Sequence, residues 1–147
     1  MDTKDMFSRE RVNFNLKSKT KSDVISELID ILVADGKVSD AEEFKKAVLH
    51  RESEFSTGIG MGIAIPHGKS GAVREASIVF GRSDAGVDFE SMDDLPAHLF
   101  FLIAVPAESS DLHLRALSEI SRKLMHEEIR ESLMKVTTFE DFIKVFE

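Results

Sequence analysis

Between Ser56 and Gly68 the chain reads Ser56-Thr57-Gly58-Ile59-Gly60-Met61-Gly62-Ile63-Ala64-Ile65-Pro66-His67-Gly68. Large apolar residues (Ile59, Met61, Ile63, Ile65) alternate with Gly or Ala at every second position. Successive strand side chains point to opposite faces, so a strand over Ile59–Ile65 has one bulky face and one nearly bare face. Glycine weakens a strand, and three in alternation need a reason. Either another backbone packs very close to the bare face or a ligand approaches the main chain there. On this reading Ile59, Met61 and Ile63 supply core from the bulky face. The spacing is Gly-x-Gly-x-Gly, and it leads into a strand-like run. Neither a dinucleotide fingerprint nor a phosphate-binding P-loop has that spacing and context. Pro66 fixes φ and removes a donor, which ends the strand. That displays His67 on a turn beside the flexible Gly68.

Outward from this segment, helical and strand-like patterns alternate, which predicts one α/β domain over residues 1–147. Met6–Arg11 is expected as a short helix, and Val12–Leu16 has the period of a half-buried strand. Ser22 is expected to cap a helix to about Asp35 with the stripe Ile25, Leu28, Ile29, Leu32, stopped by Gly36. Ser39 with Glu42 forms a capping box that opens a helix through Phe44, Ala47 and Val48 to about Arg51. Strands are expected at Ser77–Gly81 and His98–Val105. The second is nearly continuous apolar, the pattern of a strand covered on both faces, and Pro106 ends it. Asp111 then caps a helix through Met125. Another helix covers Glu127–Lys135, and Thr138 with Asp141 opens a last one to Phe146.

Two polar residues accompany His67. His113 stands in the first turn of the helix opened by Asp111, on a stripe with Leu117, Ile120 and Leu124. It is either a partly buried core histidine or a group placed where free helix N–H groups favour an anion. Arg51 closes the helix before the glycine segment. It serves either as a cation on the helix C-terminus or as an anion clamp. His50 and His98 are read as structural or surface residues, and Phe100 and Phe101 as core.

The composition narrows the classes. A chain of 147 residues with no cysteine has no disulfide, thiolate metal site or cysteine nucleophile. No apolar run is long enough to span a bilayer, and the Met1-Asp2-Thr3-Lys4-Asp5 start is not that of a signal peptide, so a cytoplasmic protein is expected. The net charge is −8, and residues 74–147 hold 8 basic against 15 acidic side chains. An acidic chain without a basic stripe is unsuited to nucleic acid and better suited to a basic protein partner.

His50-Arg51-Glu52, the segment ending in Pro66-His67-Gly68, and Asp111-Leu112-His113-Leu114 together resemble the motifs of the fructose/mannitol-type (type-2) enzyme IIA domains of the bacterial sugar phosphotransferase system. The resemblance runs from about Met6 to Phe146. It keeps all three polar positions. Gly68-Lys69-Ser70, Gly86-Val87-Asp88-Phe89 and Ile103-Ala104-Val105-Pro106 resemble the fructose branch more than the nitrogen-regulatory one. The resemblance implies a mixed β-sheet sandwiched by helices. It also implies that His67 is phosphorylated by the phosphocarrier HPr and passes the group to the cysteine of an enzyme IIB domain, with Arg51 and His113 stabilising it. No cofactor or metal is implied. The IIB cysteine and the membrane IIC component are expected on separate chains or beyond the ends of this one. Two other readings stand beside it: a regulatory domain that controls partners through its phosphorylation state, and a metal site built on His67 and His113. The metal site lacks an H-E-x-x-H pattern, since His126-Glu127-Glu128 has no second histidine.

Overall fold

The computed structural model describes residues 3–109 and 111–147, and the backbone alone at Leu112 and His113. Thr3–Met6 and Arg9–Arg11 form two 3-10 turns, and Val12–Asn13 (β1) follows. Helices Lys21–Ala34 (α1) and Ala41–Glu54 (α2) come next. The strands Gly58–Gly60 (β2), Ile63–Ala64 (β3), His67–Ser70 (β4), Ser77–Val87 (β5) and Ala97–Pro106 (β6) complete the sheet. Helices Leu112–Leu124 (α3), Glu127–Lys135 (α4) and Phe139–Lys144 (α5) end the chain. Among the described residues no helix is long and apolar enough to cross a membrane.

The sheet is mixed, in the order β1-β5-β6-β3-β2, with β4 also paired to β6. β5 runs antiparallel to β6, whereas β3 and β4 both run parallel to it. β3 pairs at Leu99 and Phe100 and β4 from Ile103 onward, so the two short strands lie end to end along one edge of β6. The apolar run in β6 is explained by two cores. Leu99, Phe101, Ile103 and Val105 pack with Ile120, Leu124, Leu133 and Phe142 of α3–α5. Phe100, Leu102 and Ala104 pack with Ile25 and Leu28 of α1 and Phe44 and Val48 of α2. Each large side chain fully buried in this way contributes about 1.5–3 kcal/mol. The α/β sandwich expected from the sequence is the observed architecture.

The helix stripes fall where the periodicity puts them, but the caps shift. Thr20, not Ser22, caps α1, its Oγ1 accepting from the Asp23 N–H at 3.2 Å. Asp40, not Ser39, caps α2, accepting from the Glu43 N–H at 3.1 Å. The Ser39 hydroxyl instead donates to the Ala72 carbonyl. α2 also runs past Arg51 to Glu54. Thr138 caps α5 as expected. Met6–Arg11 is not one helix, β1 covers only two residues, and β5 continues well beyond Gly81.

The glycine segment departs most from expectation. It is not one strand but a tight antiparallel hairpin, with Gly58 opposite Ala64 and Gly60 opposite Ile63. Gly60, Met61 and Gly62 take φ of 94°, 59° and 78°, the left-handed region that glycine tolerates and that turns the chain. Met61 at the tip is 44% exposed and is not core, while Ile63 and Ile65 are fully buried. The bare face is filled from within the chain: a Cβ on Gly58 would lie 3.0 Å from Ser91 Cα, and one on Gly60 3.1 Å from Asp93 Oδ2. Close packing, rather than an approaching partner, explains those glycines.

Candidate functional site

Pro66 does not end the sheet. It lacks an N–H, but its carbonyl still accepts from the Ile103 N–H at 3.0 Å, and β4 begins at the next residue. His67 therefore sits on a strand, not on a free turn. Its register partner on β6 is Ile103, and that of Gly68 is Ala104. Parallel neighbours share faces, so His67 points to the α3–α5 side and Gly68 to the α2 side. The backbone at Gly68 is pressed against α2, where a Cβ would come 3.0 Å from both Phe44 Cε1 and Val48 Cγ2.

The His67 side chain is buried, at 8% exposure. Its Nδ1 is 2.9 Å from the Ile65 carbonyl oxygen. A carbonyl only accepts, so in the neutral ring Nδ1 carries the proton and the lone pair resides on Nε2. Burial pushes the imidazole pKa below its ordinary 6.5. The Ile65 bond opposes that shift, the Arg51 charge adds to it, and the Glu52 charge opposes it. Desolvation disfavours the imidazolium and favours the neutral ring.

His67 borders a cavity of about 480 Å³ whose walls include Arg51, Ile59, Ile65 and Leu117. Phe55 and Met92 stand at its mouth, 78% and 80% exposed. Arg51 lies in the last turn of α2, half-buried, and donates from Nη1 to the Phe55 carbonyl at 2.7 Å. That bond satisfies a C-terminal carbonyl of the helix, the first of the two roles weighed for Arg51, and holds the guanidinium on the cavity wall. Leu117 brings α3 to the same cavity. His113 falls in the first turn of α3, and its side chain lies outside the described residues.

Two residues at the site carry no role in the sequence reading. Glu52 is 8% exposed and accepts from the Thr57 N–H at 3.0 Å, from the Thr57 hydroxyl, and from Lys21 Nζ at 2.9 Å. A carboxylate in the last turn of a helix opposes the helix dipole, and that placement is its signal in the sequence. Lys21 also reaches Glu90, at 3.1 Å, and lies over the Phe89 ring. A buried neutral imidazole beside a fixed guanidinium suits transfer of an anionic group to nitrogen.

Comparisons with known proteins point to the same chemistry. Residues 5–147 match the family described as "Phosphoenolpyruvate-dependent sugar phosphotransferase system, EIIA 2". The chain is 43% identical over 145 residues to the fructose-specific EIIABC component of Bacillus subtilis; the match covers 99% of this chain and 23% of that protein. It is 44% identical over 126 residues to the fructose-specific EIIA component of Haloferax volcanii, covering 86% of this chain and 82% of that one. The chain thus spans about a quarter of the first relative's length and most of the second's. Among solved structures, nitrogen regulatory protein IIA-Ntr from Neisseria meningitidis superposes with a TM-score of 0.90 at 28% identity, covering 98% of both chains. Enzyme IIA-mannitol of Escherichia coli, solved in complex with phosphorylated IIB-mannitol, gives a TM-score of 0.81 at 26% identity, covering 95% of this chain and 96% of that one.

Proposed function

The chain belongs to the EIIA type-2 family of the phosphoenolpyruvate-dependent sugar phosphotransferase system, a phosphoryl carrier in a phosphotransferase chain, and from that premise we propose that His67 is the residue that carries the phosphoryl group. The reading is that it takes the group from phosphorylated HPr and delivers it to the cysteine of a fructose-type IIB domain, in the cytoplasm, during sugar uptake. The observation that carries it is the Nδ1 bond to Ile65, which puts the ring lone pair on Nε2, in a side chain that borders the same cavity as Arg51.

In the first step Nε2 attacks phosphorus. A new N–P bond forms as the donor's N–P bond breaks, and that electron pair returns to the donor imidazole. The phosphorylated ring of His67 becomes cationic, and its Nδ1–H bond to Ile65 becomes charge-assisted, which is stronger. Both ends of this exchange are nitrogens, so no metal or covalent change of bond class is needed. In the second step a thiolate sulfur attacks phosphorus and the N–P pair returns to Nε2. The transition state spreads charge over three outer oxygens, and positioning plus charge stabilisation do most of the catalysis. Arg51 supplies a positive charge on the wall. His113, in the first turn of α3, is assigned the second stabilising contact.

The test is incubation with phosphoenolpyruvate, enzyme I and HPr, then mapping of the modified residue and transfer to a fructose-type IIB protein. Label on His67 Nε2 that chases onto the IIB cysteine is the expected result. Label on another residue overturns the assignment. Label on His67 that no sugar-type IIB protein takes up turns the reading to the regulatory role, which the likeness to IIA-Ntr favours.

A further inference from the structure

We infer that Glu52 is a positioning residue for phosphoryl transfer: through Thr57 and Ile65 it sets the orientation and tautomer of the His67 ring. The inference rests on His67 being the acceptor.

An unbroken run of hydrogen bonds links Glu52 to His67. Lys21 Nζ donates to Glu52 Oε1 at 2.9 Å. The Thr57 N–H donates to the same oxygen at 3.0 Å, and the Thr57 hydroxyl donates to Oε2. The Thr57 carbonyl in turn accepts from the Ile65 N–H at 3.0 Å. The Ile65 carbonyl accepts from His67 Nδ1 at 2.9 Å. Thr57 and Ile65 are the two residues at the open end of the β2–β3 hairpin, one on each side of the Gly58–Ala64 pair. Holding Thr57 therefore holds Ile65, and Ile65 aims the imidazole. Glu52 is also the chain neighbour of Arg51. One buried carboxylate thus ties the helix end that carries the cation to the strand that carries the nucleophile.

The energetics favour this use. A buried charge is costly unless it is paired and hydrogen-bonded, and Glu52 is both. An acid in the last turn of a helix gains nothing from the dipole, so its compensation comes from Lys21 and Thr57. The charged groups around it are Lys21 from α1, Arg51 from its own helix turn, and Glu90, whose charge Lys21 shares. The bonds made by Thr57 specify it closely: valine at that position keeps the shape and loses the hydroxyl, and serine keeps the hydroxyl.

The test uses the unphosphorylated chain with ¹⁵N-labelled histidine, where long-range proton–nitrogen spectra report which ring nitrogen holds the proton. In the wild type His67 is expected as the Nδ1–H tautomer. E52Q and T57V are expected to give a mixture of tautomers at His67, with the His98 signals unchanged as a check on the fold. The same two variants should accept phosphate about tenfold more slowly, the scale expected when a reacting group is misaimed by a fraction of an ångström. T57S should restore both. An unchanged His67 tautomer in both E52Q and T57V overturns the inference, even if the rates fall with stability. The spectra need no phosphoryl donor. A wild type that takes no phosphate sinks the functional reading and with it the role in transfer, whereas the spectra separately decide whether Glu52 sets the His67 ring.

Discussion

His67 and His98 have nearly the same local setting and different surroundings. Each ring is fixed by Nδ1 on a backbone carbonyl, Ile65 at 2.9 Å for one and Ser83 at 2.8 Å for the other. Each borders a cavity with an arginine on its wall, Arg51 in one and Arg130 in the other. Each arginine donates to a carbonyl near a helix end at 2.7 Å, Arg51 to Phe55 and Arg130 to Leu124. The difference is charge and desolvation. Glu127 and Glu131 stand on the His98 cavity with Arg130, so carboxylates outnumber the cation on that wall. At the His67 cavity the acid on the wall is Glu90, and Lys21 pairs with it from outside. His67 is buried and His98 only half-buried. On the proposed function, the dianionic group is served by a cation with fewer acids on its wall and by a ring withdrawn from water.

The largest test of that contrast is H67Q, which should reduce phosphate acceptance from phosphorylated HPr to background in a label-transfer assay. R51A comes next, with a loss of about a hundredfold in the transfer rate, the scale of removing one preorganised charge-stabilising group. R130A should leave that rate unchanged, and equal losses in the two would erase the distinction between the cavities. H113A should keep the fold and slow delivery to the IIB partner by about tenfold or more. Normal kinetics with a large fall in Tm would move His113 to the core.

A pH series gives a smaller effect. The His67 pKa is lowered from 6.5, chiefly by burial. Its rate profile should therefore stay level through pH 6.5 and fall only at lower pH. The linked stability has a definite sign: the unfolded chain takes up the proton first as pH drops below 6.5, so folding stability contributed by His67 is lost on acidification. An NMR titration of the ring checks the first point and thermal melts of wild type against H67Q the second. H98Q should have the least effect, with transfer within about twofold of wild type and a stability cost of about 1 kcal/mol for the bond to Ser83.

The helices and the central strand were legible because each is encoded locally, and His67, Arg51 and His113 were singled out as candidates by the motifs around them. Ile25, Leu28, Ile29 and Leu32 make a stripe, and Leu99 to Val105 an unbroken apolar run. The hairpin was not legible as a hairpin, because the alternation of large and small residues continues through the turn at Met61 without a break. Gly-Met-Gly carried the turn signal and was outweighed by the period. β4 was hidden by Pro66, which reads as a terminator although its carbonyl stays in the ladder. The far half of β5 was hidden by Arg82, Ser83 and Asp84. Arg82 is nevertheless buried, because its Nη1 reaches the Leu133 and Val136 carbonyls at the end of α4. Glu52 was passed over because its partners, Lys21 and Thr57, come from different elements.

The contact at Gly68 bears on how such a carrier deals with two partners. Phe44 and Val48 of α2 leave no room for even a Cβ at Gly68, so β4 lies close against the helix. That packing joins the element that carries Arg51 to the strand that carries His67. Differences between a donor and an acceptor must then be absorbed at the pliable rim, by Phe55 and Met92, or by the visitors themselves. On the proposed function, the chain would then work as a jig, not an arm: one geometry for loading and for unloading, with neither direction burdened by rearranging the carrier.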